Sequence, residues 1–324
     1  MRLDSRRLRW AGAAGLLAGY AADQVLGDPR RGHPVAVFGS FASSVQQRMY
    51  ADDRARGAAF TATLVGAAAG LGLAADRVTA RQPLARWVVT AVATWAVLGG
   101  RSLTREADIL HAQLADGDLP AARRQVRNLV GRDPSQLDAQ ELARATIESV
   151  AENTSDAVVA PLMWGAIAGV PGLLGYRAAN TLDAMVGHKT PRLRRFGWAA
   201  ARFDDVLNYL PARVSGALAA ALAPAFGARP REVVRVVRRD AGKHPSPNAG
   251  VVEAAFAGVL GVRLGGANVY EGEVEDRGTL GDGPPPAVAD IHRASRLSSA
   301  VGLAAVGLAA AGLAAAGRRA RRRA

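Results

Sequence analysis

Long apolar runs alternate with charged segments along the 324 residues of this chain. A bilayer crossing needs roughly 20 mostly apolar residues. Residues 58–75, 157–176 and 297–317 come close to that length, residues 87–100 form a shorter run, and residues 206–226 form a weaker, interrupted one. The pattern predicts an all-α, polytopic helical membrane protein with polar helical and loop segments between the spans.

Two features bear on how these runs lie in a membrane. Residues 157–176 contain Pro161, Pro171 and several glycines, which predicts a segment that bends or re-enters. The last run ends in RRARRR, and cationic residues anchor helix ends at a lipid surface. Buried helices of a soluble protein are the alternative. We expect four to six spans, with a retained apolar helix at the N-terminus.

Polar stretches separate the runs within what we predict to be a single domain, residues 1–324. Residues 101–156 have the spacing of a polar helical insert, in which Ser135 is a candidate N-cap for a helix that continues through Glu148. Residues 227–296 are rich in Gly and Pro and are predicted to be a polar loop block.

The charge balance narrows the classes of partner. Lys plus Arg is 41 and Asp plus Glu is 28, a formal charge of +13. A balance this basic indicates an anionic lipid, an anionic substrate or nucleic acid. The arginines are scattered and no zinc or RNP pattern is present, so we expect no nucleic-acid partner. Cysteine is absent, which excludes disulfides and thiolate metal sites.

Three acidic residues precede the third apolar run. Glu148, Glu152 and Asp156 have i, i+4, i+8 spacing, which on one helix aligns carboxylates along about 12 Å. Like charges at this spacing repel each other, so a cation should offset them. A solvated face paired with Arg144 or Arg177 is the alternative. Proximity to the apolar run favours a functional site.

Two further segments add carboxylates and carboxamides. In RAANTLDAMVGHK (177–189), Asn180 and Asp183 share a helix face and Gly187 is expected to end the helix. In RFDDVLNYLPAR (202–213), Asp204 or Asp205 falls within a turn of Asn208. Hard oxygen ligands on several helices suit Mg²⁺ that carries phosphate groups. Arg–Asp pairs are the alternative for each segment alone.

The segment 239–258 reads RDAGKHPSPNAGVVEAAFAG. Two prolines flank Ser246 and predict an extended loop, after which Asn248 leads into a helix that carries Glu253. Backbone N–H groups at a helix start, with Lys243 and His244 beside them, suit a phosphate or a developing oxyanion. The alternative for His244 is a loop hydrogen bond. No P-loop, Rossmann, nucleophile-elbow or zinc-protease motif occurs in the chain.

Six motifs in order resemble the adenosylcobinamide-phosphate synthase family (CbiB/CobD) of cobalamin biosynthesis. They are GDPRRGHPV, ESVAENTSDAVVAPLMWGA, RAANTLDAMVGHK, FDDVLNYLPAR, DAGKHPSPNAGVVEAAFAG and NVYEGE. The resemblance implies a multi-pass protein of the cell membrane that joins adenosylcobyric acid to (R)-1-amino-2-propanol or its O-phosphate. This amide-forming ligase would give adenosylcobinamide or its phosphate. Ala157 and His188 depart from the family pattern, which has Gly and Tyr there.

The resemblance and the chemistry together give a set of expected roles. Amide formation requires activation of a carboxylate, for which we expect ATP and Mg²⁺, and a general base for the amine. We expect the catalytic residues to be His244 as base, Glu152, Asp183 and Lys189. The expected metal ligands are Glu152, Asp156, Asp183, Asp204 and Asp205. The expected substrate- and phosphate-binding residues are Asp28, His33, Asn153, Asn180, Asn208, Arg213, Lys243, Ser246, Asn248 and Glu253.

The expected partners are the corrinoid and aminopropanol substrates, the lipid bilayer and other late enzymes of cobamide synthesis. Two other functions fit part of the pattern. An intramembrane prenyltransferase also uses Asn and Asp on helices to bind Mg²⁺-diphosphate, and Asn180–Asp183 is reminiscent of it, but HPSPNAG and GDPRRGHPV have no role there. A non-enzymatic membrane sensor on the same fold would be expected to lose the acidic and His motifs, which are intact.

Overall fold

The computed structural model describes residues 3–29, 32–131, 133–188, 190–270 and 273–322. The described residues are mostly helical and contain almost no sheet, which confirms the predicted all-α class. The helices are α1 (Leu3–Leu26), α2 (Pro34–Met49), α3 (Arg54–Val78), α4 (Pro83–Val97), α5 (Gly100–Ala115), α6 (Leu119–Gln125), α7 (Ala139–Thr154), α8 (Ala160–Ala168), α9 (Val170–Val186), α10 (Trp198–Leu222), α11 (Pro230–Asp240), α12 (Ala249–Leu260) and α13 (Val288–Arg322).

The chain divides into two compact units. The first unit comprises residues 1–99, 160–208 and 305–324, and the second comprises residues 100–159 and 209–304. The single domain expected for residues 1–324 stays a prediction.

In the first unit, α1 and α4 approach each other closely because small residues meet. A β-carbon on Gly15 would lie 2.6 Å from Cβ of Thr90, and one on Gly19 would overlap Thr94. Close approach of this kind is how helices associate in lipid, where apolar side chains gain nothing by leaving the hydrocarbon. Gly66 and Gly70 on α3 are four residues apart, as Gly15 and Gly19 are. No neighbouring atom lies within 4 Å of a β-carbon at either of these α3 positions.

Helix α9 packs on α3 and begins at a break in the third apolar run. Gly169 has φ +68° and separates α8 from α9, so the predicted bend is present. The backbone N–H of Val170 donates to Asp76 of α3, which supplies the cap that Gly169 lacks. One turn earlier on α3, a β-carbon on Gly72 would lie 2.6 Å from the backbone of Pro171.

Much of the first unit's outer surface is apolar. Large side chains on α1, α3 and α4 are exposed, among them Trp10, Leu17, Leu71, Leu84, Trp87 and Val92. An apolar surface this extensive is typical of a protein that faces lipid. Among the described residues, three helices are long and apolar enough to cross a membrane: Arg54–Val78, Trp198–Phe226 and Val288–Ala315. The chain is therefore a helical membrane protein.

The second unit contains α7 and most of the polar segments. Helix α7 begins at Ala139 with Asp138 as its N-cap, which forms a capping box with Glu141. The prediction of Ser135 as N-cap was wrong, because Ser135 instead bonds the carboxylate of Asp133. Residues 227–296, predicted as a loop block, form α11, α12 and an antiparallel hairpin of β1 (Leu264–Tyr270) and β2 (Glu273–Leu280).

Candidate functional site

A chain of hydrogen bonds joins α9 to the start of α10 in the first unit. Tyr176 Oη donates to Asn208 Oδ1 at 2.8 Å, and Asn208 Nδ2 donates to Asp204 Oδ2 at 2.9 Å. The second oxygen of Asp204 accepts from Asn180 Nδ2 at 3.4 Å. Asp204 and Asn208 are almost fully buried. The sequence-predicted Asn180, Asp204 and Asn208 thus form one network, in which two carboxamides fix the carboxylate of Asp204.

Asp183 lies beside this network near the end of α9. It is close enough to Asp204 to repel it electrostatically, so two carboxylates share this part of the first unit. The helix ends at Val186, as Gly187 predicted. The φ of Gly187 is −72°, so its backbone does not demand glycine. Glycine fits here because Asp183 Oδ1 occupies the space that a β-carbon at position 187 would need.

In the second unit, Glu148 is held by two partners. Its Oε1 accepts the backbone N–H of Gly265 at 2.8 Å and lies 3.5 Å from Arg144 Nη1. The sequence alternative of pairing with Arg144 is therefore correct for this carboxylate. Arg144 also donates to the carbonyl oxygen of Gly265, so Glu148 and Arg144 together fix the start of β1 to α7.

Asp156 lies just beyond α7, where the helix geometry changes. Helix α7 ends at Thr154, and residues 155–159 form a π-helical turn with i to i+5 bonding. The wider turn departs from the 3.6-residue period at Asp156, and the i+8 alignment of its carboxylate stays a prediction. The carboxamide of Asn153 is turned back on α7, where Nδ2 donates to the carbonyl of Ser149 at 2.9 Å.

Glu253 on α12 is completely buried beside His244. Its Oε1 lies 3.6 Å from His244 Nε2, and neither carboxylate oxygen accepts a hydrogen bond from the described residues. Burial raises the pKa of Glu253 well above its usual value of 4.5, and the nearby charges of Glu148 and Glu152 raise it further. The charges of Arg277 and Arg144 act on this pKa in the opposite direction, and the phosphate-binding role expected for Glu253 stays a prediction.

His244 and Ser246 cap the start of α12. The backbone N–H of Ser246 donates to His244 Nδ1 at 3.0 Å. Ser246 Oγ in turn accepts the backbone N–H groups of Asn248 and Ala249 at 3.3 and 3.2 Å. The helix start is where the sequence predicted it, but these N–H groups already have an acceptor that an incoming phosphate would have to displace.

Arg213 is fixed next to this helix start. Its Nη1 donates to Asn248 Oδ1 at 2.8 Å and to the carbonyl of Tyr209 at 3.0 Å, and its guanidinium lies 3.6 Å from the Tyr209 ring centroid. Within the described part of the chain, its Nε and Nη2 donate no hydrogen bond. A half-buried guanidinium fixed on one side and open on the other is suited to an anion.

Asp240 is a site residue that the sequence reasoning missed. It is fully buried and accepts from Arg239, from Lys243 Nζ at 2.6 Å and from the backbone N–H of Gly281 at 2.9 Å. The hydrogen bonds from Arg239 above all hold its pKa well below the ordinary range. Lys243, predicted to neutralise phosphate, is therefore also an anchor of this loop. The i, i+3 spacing of Asp240 and Lys243 could have predicted this ion pair from the sequence.

The N-terminal motif forms a similar turn in the first unit. His33 Nδ1 accepts the backbone N–H of Val35 at 3.2 Å, and Nε2 lies 3.3 Å from Asp28 Oδ1. His33 is the N-cap of α2, followed by Pro34 at the first helical position. Asp28 and His33 thus have a clear role in starting α2, and their substrate-binding role stays a prediction.

The remaining predicted residues have simple placements. Asp205 lies 3.7 Å from Arg202 on the exposed side of α10. Lys189 and two residues of NVYEGE, Glu271 and Gly272, lie outside the described residues. Among the described residues no group of three or more His, Asp or Glu side chains could hold a metal ion. The Asp183–Asp204 pair still fits Mg²⁺, which typically uses one or two carboxylates together with substrate phosphates and water.

Comparisons with known proteins agree with the motifs. A model of the CobD/CbiB protein family matches residues 16–298. The chain is 54% identical over 291 residues to the cobalamin biosynthesis protein CobD of Mycobacterium tuberculosis strain H37Rv, covering 89% of this chain and 92% of that protein. It is 42% identical to the protein of that name from Geobacter metallireducens, covering 88% and 91%. No solved structure matches. The chain therefore belongs to the CobD/CbiB family, whose members act in cobalamin biosynthesis.

Proposed function

We propose that this protein forms an amide bond between a carboxyl group of adenosylcobyric acid and the amine of (R)-1-amino-2-propanol or its O-phosphate. The family, with its role in cobalamin biosynthesis, supports the corrinoid as substrate. The single structural observation that carries the proposal is Arg213, a half-buried guanidinium held through Nη1 by Asn248 and Tyr209, whose Nε and Nη2 donate no hydrogen bond to the described residues. Such a group suits a phosphate.

The reaction needs an activated carboxyl group. In the first step of the proposed reaction, a carboxylate oxygen of the corrinoid attacks the γ-phosphorus of ATP, and ADP leaves. The amine nitrogen then attacks the acyl carbon of the mixed anhydride, phosphate leaves, and the ammonium proton passes to a base. The products are amide, ADP and phosphate. Arg213 would bind phosphate oxygens and offset their charge as it develops.

The Asp183–Asp204 pair provides the place for Mg²⁺. Two carboxylates in mutual repulsion, one of them held by Asn180 and Asn208, would hold a cation. When bound, Mg²⁺ would neutralise phosphate charge. Asn180 and Asn208 keep the Asp204 carboxylate in one orientation, so the pair is organised before a ligand arrives.

His244 remains our proposed proton acceptor. Its Nδ1 now accepts the N–H of Ser246, so the ring must give up that bond to receive a proton. Catalytic hydrogen bonds are often arranged differently without substrate, so this geometry is compatible with the role. Glu152 is the other candidate base. His244→Gln tests the first candidate, because loss of the base should lower kcat at every pH tested, and an unchanged kcat would exclude His244. A lower kcat in Glu152→Gln would not identify the base, since Glu152 is also an expected metal ligand.

The decisive experiment incubates the purified protein with adenosylcobyric acid, aminopropanol phosphate, ATP and Mg²⁺. Formation of adenosylcobinamide phosphate together with ADP would support the proposal. Absence of a corrinoid product would contradict it, and turnover of a prenyl diphosphate by the same preparation would favour the prenyltransferase alternative. Running the assay with free aminopropanol identifies the preferred amine.

The Asp183→Asn variant tests the proposed phosphate site within this assay. Asn keeps the shape but loses the charge, so amide formation should be abolished while the protein still inserts into the membrane. Asp116→Asn changes an exposed carboxylate outside both clusters and is the matched control. Unchanged turnover in Asp183→Asn would remove this residue from the metal role.

A further inference from the structure

The side chain of Glu253 has no evident structural reason to be charged or polar. It is fully buried on α12, and neither of its oxygens accepts a hydrogen bond from any residue that the structure describes. Burying a polar group without a hydrogen bond is costly, and leucine would pack at the same place without that cost. His244 Nε2 lies 3.6 Å from Glu253 Oε1.

The other ring nitrogen of His244 determines which tautomer is present. Nδ1 lies 3.0 Å from the backbone N–H nitrogen of Ser246 and 3.3 Å from the Ser246 carbonyl oxygen, so the backbone has a partner for either tautomer. The shorter contact, in which Nδ1 accepts, leaves the proton of the neutral ring on Nε2. That proton points towards Glu253. A shift of a few tenths of an ångström would complete the hydrogen bond, since N–H···O bonds are about 2.7–3.2 Å long.

The same arrangement occurs a second time in this chain, at His33. Both histidines precede a proline, both accept the N–H of the residue two positions later with Nδ1, and both have a carboxylate near Nε2. The carboxylate is Asp28 for His33, where it is partly exposed, and Glu253 for His244, where it is buried. Because a carboxylate lies near Nε2 in both His-Pro turns, we treat it as a regular partner of the histidine in this turn.

We infer that Glu253 is a positioning residue that keeps the proton of His244 on Nε2 and so makes Nδ1 the nitrogen that can accept a proton. This inference rests on the proposed function, in which His244 is the base. The logic is that of other catalytic histidines, where a third group orients the ring of the base. Glu253 itself touches no substrate, because it is completely buried.

The test uses two substitutions with opposite expectations. Glu253→Gln keeps an oxygen that can accept the Nε2 proton, so kcat should stay within about threefold of wild type. Glu253→Leu removes the acceptor, so the ring can turn or change tautomer and kcat should fall at least about 10-fold at unchanged KM, since a positioned base contributes about 10²–10⁴-fold. Phe256→Leu, a buried substitution on the same helix, controls for disturbed packing.

A second readout does not depend on activity. ¹⁵N NMR of the full-length protein in nanodiscs distinguishes the two tautomers, and a His244→Gln sample assigns the signal among the five histidines. Wild type, Glu253→Gln and Phe256→Leu should show a proton on Nε2, and Glu253→Leu should show a mixture. A pure Nε2 signal in a folded Glu253→Leu would overturn the inference. If wild type makes no amide, the proposed function fails. The NMR result still decides whether Glu253 keeps the proton of His244 on Nε2.

Discussion

The carboxylate of Asp183 lies in the space that a side chain at position 187 would occupy. Gly187 ends α9 with ordinary helical dihedral angles, so glycine is required there for room. The Asp183 carboxylate could not remain beside Asp204 if a methyl group were added. The predicted helix-ending glycine is thus also part of the candidate phosphate site.

Gly187→Ala should therefore lower activity without preventing folding. The new β-carbon overlaps Asp183 Oδ1, so the carboxylate must move away, and we expect kcat to fall at least about 10-fold, because small misplacements of catalytic groups are costly. Unfolding free energy should fall by about 1–3 kcal/mol, the usual cost of overpacking. Gly66→Ala is the matched control, since its β-carbon meets nothing within 4 Å. Equal kcat in both variants would contradict the assignment.

Arg213→Lys should weaken binding of the phosphate-bearing substrate. Lysine keeps the charge but cannot both lie on the Tyr209 ring and bond Asn248 while presenting two further donors. We expect KM for that substrate to rise about 10-fold, which corresponds to about 1.4 kcal/mol. Steady-state kinetics against ATP and aminopropanol phosphate will show which substrate is affected. Arg229→Lys, on an exposed arginine, should leave both KM values unchanged.

Asp240→Asn should destabilise the second unit. The buried carboxylate accepts from Arg239, Lys243 and the N–H of Gly281, so the neutral amide removes the charge that holds Lys243 and one of the two carboxylates that hold Arg239. We expect the unfolding free energy to fall by about 2 kcal/mol, the typical penalty for losing hydrogen bonds to a charged group. Asp282→Asn removes the exposed partner of the same Arg239 and should cost less than about 1 kcal/mol. Thermal unfolding in detergent compares the two variants.

Glu253 should make stability depend on pH. Because burial raises its pKa in the folded state above 4.5, the folded protein binds this proton more tightly than the unfolded chain does. The contribution of this proton to the unfolding free energy is therefore complete below pH 4.5 and is lost as the pH rises through the raised pKa of the folded state. Glu253→Gln cannot ionise, so its unfolding free energy should fall less than that of wild type as pH rises from 5 to 8. Parallel curves for the two proteins would refute this.

Much of the candidate site follows from local sequence. Asn180 with Asp183, and Asp204 with Asn208, are three or four residues apart, and helical periodicity alone places each pair on one face. The start of α12 after HPSPN and the end of α9 at Gly187 follow from Pro and Gly. Local rules were sufficient here because helix geometry fixes neighbours within about one turn.

Other features depended on contacts between residues far apart in the chain. Gly265 N–H bonds Glu148, Gly281 N–H bonds Asp240, and no periodicity relates residues more than 40 positions apart. The π-helical turn at 155–159 was not predicted, because the carboxylates are spaced for a regular helix. The sequence by itself determined the helices, the membrane class and the chemical type of each cluster. Only the tertiary structure decided which carboxylate is buried beside His244, because burial depends on how separate helices pack.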